Sequence, residues 1–199
     1  MAVRIGVLAS GGGTNLQAII DYLEARKSTT VAQIAVVAAN RENAGALARA
    51  RAASIPAETF NAGDDGSDLL DTLRRYDVEL VVLAGYMKKI PPPVIRAYHR
   101  RMINIHPGLL PDFGGPGMYG AKVHTAVLAA GAGTTGVTVH FVDDEYDHGP
   151  TIVQWRIAVR DDDTPESLAA RVLEVEHQVY PRTVEMVAAL NNMNFFADL

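Results

Sequence analysis

The sequence predicts an α/β protein built on an open, mostly parallel twisted sheet with helices on both faces. Three observations predict it. Through the first half, short apolar runs alternate four times with helix-length amphipathic stretches, the pattern of strands joined by crossover helices. In the second half, two runs of alternating polar and apolar residues lie close together, as an antiparallel strand pair requires. Gly11-Gly12-Gly13 falls between the first apolar run and the first helical stretch, where an α/β fold turns tightly from strand to helix.

Each element follows from its own pattern. Residues 3–9 are apolar and β-branched and stop at Ser10 and the glycines, so they read as a buried strand. Residues 15–26 place Leu16, Ile19, Ile20 and Leu23 at helical spacing. Residues 31–39 form a second strand, and 44–53 form an Ala- and Arg-rich surface helix. Residues 57–60 are a third strand, 67–76 repeat leucines at 69, 70 and 73 as a helix does, and 80–84 are a fourth strand ending at Gly85. Pro91-Pro92-Pro93 breaks the chain. Residues 102–105 are a short strand running into His106-Pro107, and residues 108–120 are a Gly- and Pro-rich loop of a length usually kept for function. Residues 123–130 read as a helix, 137–142 and 151–159 as the antiparallel pair, and 164–190 as a long helix. Thr164-Pro165-Glu166 is that helix's cap and first turn, and Pro181 is expected to split or kink it. No internal repeat or low-complexity segment interrupts this order, so residues 1–199 are read as one domain with halves 1–100 and 101–199.

Composition narrows the function. With no cysteine among 199 residues, disulfide scaffolds, zinc ribbons, iron–sulfur sites and thiol nucleophiles are excluded. A formal charge of -5 argues against nucleic acid or an anionic membrane as partner. The apolar runs fall well short of the roughly 20 residues of a membrane helix. The N-terminal run starts too early and carries Arg4, unlike a signal peptide, so a cytoplasmic location is expected.

Two segments carry chemistry. Glycines at 11–13 let backbone N–H groups approach an anion at a helix N-terminus, with Thr14 and Asn15 adding polar side chains. The pattern is neither G-x-G-x-x-G nor a Lys-bearing P-loop, which speaks against dinucleotides and triphosphates; a plain capped turn fits it equally. Asn104 and His106 are two apart on a strand and so share a face, at the carboxyl end where open α/β sheets bind ligands. An amide can donate to an oxyanion and an imidazole can carry a proton near neutral pH, although an isolated His-Pro is more often a satisfied core histidine. The run from His140 to Glu145 ends a strand in three acidic residues; one carboxylate near His106 would raise its pKa. Their spacing offers no clear metal-ligand set.

Together with residues 81–87, 104–111, 136–145 and 176–181, the 9–17 segment resembles the folate-dependent formyltransferase family, and within it the glycinamide ribonucleotide transformylases. The matching pieces span nearly the whole chain in family order. The resemblance implies the formyltransferase fold and transfer of the formyl group of 10-formyltetrahydrofolate, as co-substrate and without metal, to the glycyl amine of glycinamide ribonucleotide. It implies that His106 moves the proton, Asn104 binds the oxyanion, and Asp144 keeps His106 cationic, with Thr138 supporting them. It also implies that Gly13, Thr14 and Asn15 hold the phosphate, Glu176 meets the amine, and Met87, Lys88, Lys89, Ile90, Asn104, His140, Phe141, Val142, Asp143 and Asp144 border the folate. Lys122 or His124 is expected near the phosphate. Two departures stand out: residues 63–68 lack the arginine the family often places near the folate tail, and Gly108 stands where serine is common. Small molecules are the expected partners, of a monomer or homodimer. The competing readings are a formyltetrahydrofolate deformylase, whose family carries a further N-terminal domain whereas here the first strand starts at residue 3, and a non-catalytic folate or nucleotide binder.

Overall fold

The structure is a computed structural model and describes residues 2–193; residue 1 and residues 194–199, which fall within the expected 1–199 domain, lie outside the described residues. Its centre is one seven-stranded sheet in the order β3-β2-β1-β4-β5-β6-β7. The strands are β1 (Val3–Ala9), β2 (Ala32–Ala39), β3 (Ala57–Thr59), β4 (Leu80–Leu83), β5 (Met102–His106), β6 (Thr134–Phe141) and β7 (Thr151–Ala158). The first five pair in parallel, and β6 and β7 add on antiparallel. The helices are α1 (Thr14–Ala25), α2 (Gly45–Ala52), α3 (Ser67–Arg75), α4 (Pro92–Ala97), α5 (Ala121–Ala129) and α6 (Pro165–Asn192).

Strand alternation sorts the core into two layers. On β4 and β5, Leu80, Val82, Ile103 and Ile105 face one layer, together with Leu16, Val123, Leu168 and Tyr180 from the helices. Val81, Leu83 and Met102 face the other, with Leu69 and Leu73 of α3 and Val94 of α4. A central strand buried on both faces therefore reads as an unbroken apolar run rather than an alternation. Each fully buried Leu or Ile contributes roughly 1.5–3 kcal/mol.

Two elements differ from the sequence reading. The triple proline starts a helix: Pro91 is the extended N-cap and Pro92 the first helical residue of α4. Proline's fixed φ suits that position, and the N–H it lacks would have had no helical partner there. Pro181 does not split the long helix, which runs unbroken from Pro165 to Asn192. Side chains bond the backbone carbonyls around it, Arg182 to Gln178 O and Thr183 Oγ1 to Val179 O. Pro181 is itself buried, so packing holds the helix where propensity would end it.

Candidate functional site

The β5–β6 register builds the centre of the site. Asn104 pairs with His140 and His106 with Thr138, so four polar side chains share one face of two adjacent strands. Asn104 Nδ2 lies 3.2 Å from His140 Nε2, and His140 Nδ1 lies 2.8 Å from Phe141 O. A carbonyl only accepts, so Nδ1 of His140 bears a proton, while Nε2 faces the Asn104 amide. Thr138 Oγ1 donates to Gly108 O at 2.7 Å and accepts from Leu110 N at 3.1 Å, which ties the following loop to the strand.

The carboxylate opposite His106 is Asp147, and this corrects the expectation of Asp144. Asp147 Oδ2 stands 3.5 Å from His106 Nδ1 and Oδ1 stands 3.6 Å from His140 Nε2. Asp144 is exposed and does not line the cavity. The chain leaves β6 through a turn at residues 143–148, and at Asp147 it takes φ 55°, in the left-handed region. Aspartate tolerates that conformation better than most residues. Gly149 follows because a Cβ there would lie 1.9 Å from Phe141 O. Asp-x-Gly-Pro at the foot of the strand pair was the available sequence signal, and the register taken from the family resemblance set the aspartate at 144 instead.

His106 is 3% exposed, and its Nε2 donates to Phe113 O at 2.7 Å. Burial pushes its pKa down and outweighs the opposing Asp147 carboxylate and Phe113 carbonyl. The sequence argument had the carboxylate raising it; desolvation wins because the ring has almost no contact with solvent. Burial also pushes Asp147 up, yet His140, His106 and the Gly115 N–H, which donates to Oδ2 at 3.0 Å, hold it below the usual carboxylate range. Gly108 leaves room for the imidazole: a Cβ there would lie 3.2 Å from His106 Nε2.

These groups line a cavity of about 530 Å³ beyond the carboxyl ends of β4 and β5. Met87, Lys88, Lys89 and Ile90 form one wall, with Met87 N donating to Ser10 Oγ at 3.1 Å. His140, Val142 and Asp143 line it as well, whereas Phe141 and Asp144 do not. Residues 115–121 and Tyr146 close it from outside. His124 is buried on α5 with Nδ1 unpartnered among the described residues, while Lys122 is exposed and does not itself line the cavity, its Nζ lying 4.7 Å from the ring of Tyr119, which does.

Asn15 and Glu176 line the same cavity. Asn15 Nδ2 donates to Glu176 Oε2 at 2.6 Å, joining the start of α1 to the middle of α6. Glu176 is 7% exposed, and burial lifts its pKa to about 7 against the partial opposition of that hydrogen bond. Gly13 is the N-cap of α1 at φ 74°, and Thr14 is exposed beside it; neither lines the cavity. No group of three or more His, Asp or Glu able to hold a metal occurs among the described residues. Nor is any described helix long and apolar enough to cross a membrane.

The profile of the formyl transferase family matches residues 3–184. A chloroplastic phosphoribosylglycinamide formyltransferase of Vigna unguiculata is 44% identical over 188 residues, covering 92% of this chain and 60% of the relative. The chain thus spans less than two thirds of the length of its plant relatives, the Arabidopsis thaliana protein being covered to 65%. The phosphoribosylglycinamide formyltransferase of Bacillus subtilis is 35% identical over 95% of this chain and 96% of its own length. Among solved structures, glycinamide ribonucleotide transformylase 1 from Symbiobacterium toebii superposes with a TM-score of 0.85 at 39% identity, over 94% of this chain and 88% of that one. A formyltetrahydrofolate deformylase from Pseudomonas syringae gives 0.81 at 25% identity, over 95% of this chain and 62% of its own.

Proposed function

This chain belongs to the formyl transferase family, and from that premise we propose that it moves the formyl group of 10-formyltetrahydrofolate to the glycyl amine of glycinamide ribonucleotide, a step of purine synthesis. One observation carries the reading. Asn104, His106 and Asp147 meet in a cavity that Asn15 and Glu176, hydrogen-bonded to each other at the start of α1, also line. A transferase needs such a site, with formyl donor and amine acceptor brought together over one proton carrier.

The amine attacks the formyl carbon and a tetrahedral oxyanion forms. Asn104 donates to it with the N–H that His140 does not use; losing one such donor typically costs about 10²–10³-fold. Once Nε2 is free of Phe113 O, neutral His106 carries its proton on Nδ1, toward Asp147; Nε2 then accepts the amine's proton and returns it to the departing folate nitrogen, with Asp147 stabilising the imidazolium formed in between. Nε2 reaches substrate only after Phe113 O gives up its hydrogen bond, so the 108–120 loop moves on binding. Glu176, near half-protonated at neutral pH, meets the amine, and Gly13, Thr14 and Asn15 receive the phosphate at the start of α1. Met87, Lys88, Lys89, Ile90, His140, Val142 and Asp143 border the folate. Residues 1–100 supply the phosphate half of one domain and 101–199 the catalytic and folate half. The protein works on small molecules in the cytoplasm, as a monomer or homodimer.

The test is loss of the formyl group from 10-formyltetrahydrofolate, followed by absorbance with and without glycinamide ribonucleotide. Turnover that requires the ribonucleotide is expected. Equal rates in both would make the protein a deformylase, and no turnover with folate bound would make it a binder.

A further inference from the structure

We propose that Arg49 is a positioning residue for the glycine turn, fixing the direction in which Gly12 and Gly13 present their backbone N–H groups; the inference rests on reading that turn as the phosphate site. In a trans peptide the C=O and N–H point in opposite directions. Arg49 Nε donates to Gly12 O at 2.7 Å, so the N–H of Gly13 points away from α2. Ala46 N donates to Gly11 O at 3.1 Å and turns the Gly12 N–H the same way. Neither of these two N–H groups has an acceptor among the described residues. Two free donors therefore leave the turn side by side, the arrangement that cradles an anion.

Three consecutive glycines have more backbone freedom than any other tripeptide, and nothing in their own side chains can hold one shape. The start of α2 supplies what they lack. A Cβ at Gly13 would lie 2.7 Å from Ala46 Cα, and one at Gly45 would lie 3.2 Å from Gly12 Cα, so turn and helix are in direct backbone contact. Arg49 is itself held, its Nη1 donating to Gln17 Oε1 at 3.1 Å, so one guanidinium bridges α2, the turn and α1. Lysine has the charge but not the planar fork that makes both bonds at once.

The experiment compares the wild type with Arg49→Met and Arg49→Lys, all first checked by thermal melting. Steady-state kinetics read KM for glycinamide ribonucleotide, KM for the formyl folate, and kcat. Ribose 5-phosphate binding is followed by ligand-observed NMR at low and high salt. With Arg49→Met, KM for the ribonucleotide and Kd for ribose 5-phosphate should rise roughly tenfold, the scale of a lost hydrogen bond to an ordering group. KM for the folate should stay put, and Arg49→Lys should recover part of the loss.

A ribose 5-phosphate Kd within experimental error of the wild type in Arg49→Met overturns the proposal. So does a defect that disappears at high salt, since that would be long-range charge attraction and not geometry. A parallel loss across kcat and both KM values, from a protein with a lowered melting temperature, would overturn it too. The NMR arm needs no turnover: wild-type protein that binds ribose 5-phosphate but leaves glycinamide ribonucleotide unformylated refutes the proposed activity while the Arg49 comparison still decides. Wild-type protein that does not bind ribose 5-phosphate overturns the role of the turn and of Arg49 together.

Discussion

Asp147 and Asp144 sit three residues apart in one acidic turn, and their environments separate them. Asp147 faces two buried imidazoles, and Asp144 faces solvent. Asp147→Asn should lower kcat by roughly 10²–10⁴-fold, the worth of positioned proton transfer, and move the acid limb of kcat/KM to lower pH because His106 loses the carboxylate that favours its charged form. Asp144→Asn should stay within about twofold, as for a surface change of no more than about 0.5 kcal/mol. Steady-state kinetics across pH reads both. Glu176 makes a second prediction, on stability. Its carboxyl is raised from 4.5 to about 7, so the folded state prefers it protonated. The penalty is absent below pH about 4.5, grows as pH rises, and is complete above about 7, where it is worth on the order of 3 kcal/mol. Glu176→Gln keeps an acceptor for Asn15 and carries no charge. It should match the wild type in urea unfolding near pH 4 and exceed it near pH 8; equal stabilities at both would show that Glu176 is not desolvated.

The elements that hold these residues differ in how openly the sequence announces them. α6 is legible at its start, where Thr164 and Ser167 exchange side-chain and backbone hydrogen bonds in a capping box after a short acidic turn. Thr164→Ala should cost about 1 kcal/mol in chemical unfolding. Glu176 sits three turns further on, so KM for the ribonucleotide should not change; a shift in KM would mean that the cap helps to position the site. The same helix is illegible at Pro181, where propensity argues for a break and burial overrides it. α4 was illegible for the opposite reason: three prolines read as a breaker, yet the first two supply an N-cap and N1. β5 was the plainest case. Its alternation puts Asn104 and His106 on one face, but the pairing that sets His140 against Asn104 comes from a strand 36 residues away.

At the scale of the molecule, the cavity draws on both halves of the chain, with Asn15 from one and His106 from the other. Ligand binding should therefore stabilise the whole fold. Glycinamide ribonucleotide at one hundred times its Kd adds about 2.7 kcal/mol, or a rise of roughly 5–10 °C in Tm for a chain of this size. Differential scanning calorimetry of wild type and His106→Ala should show the same rise in both, with turnover lost only in the variant; a variant without the rise would place His106 in binding. The sequence by itself determined the layer architecture, because hydrophobic periodicity and glycine breaks are local properties. It also placed Asn104, His106 and Asn15 as candidates, since spacing within a strand or turn is local too, whereas Glu176 came only from the family resemblance. Tertiary structure decided which carboxylate answers His106, whether burial or that carboxylate sets the imidazole's pKa, and which helix steadies the glycine turn. Each of those depends on how much water a packed neighbour removes, or on a contact between segments distant in sequence, and neither is written in any run of adjacent residues.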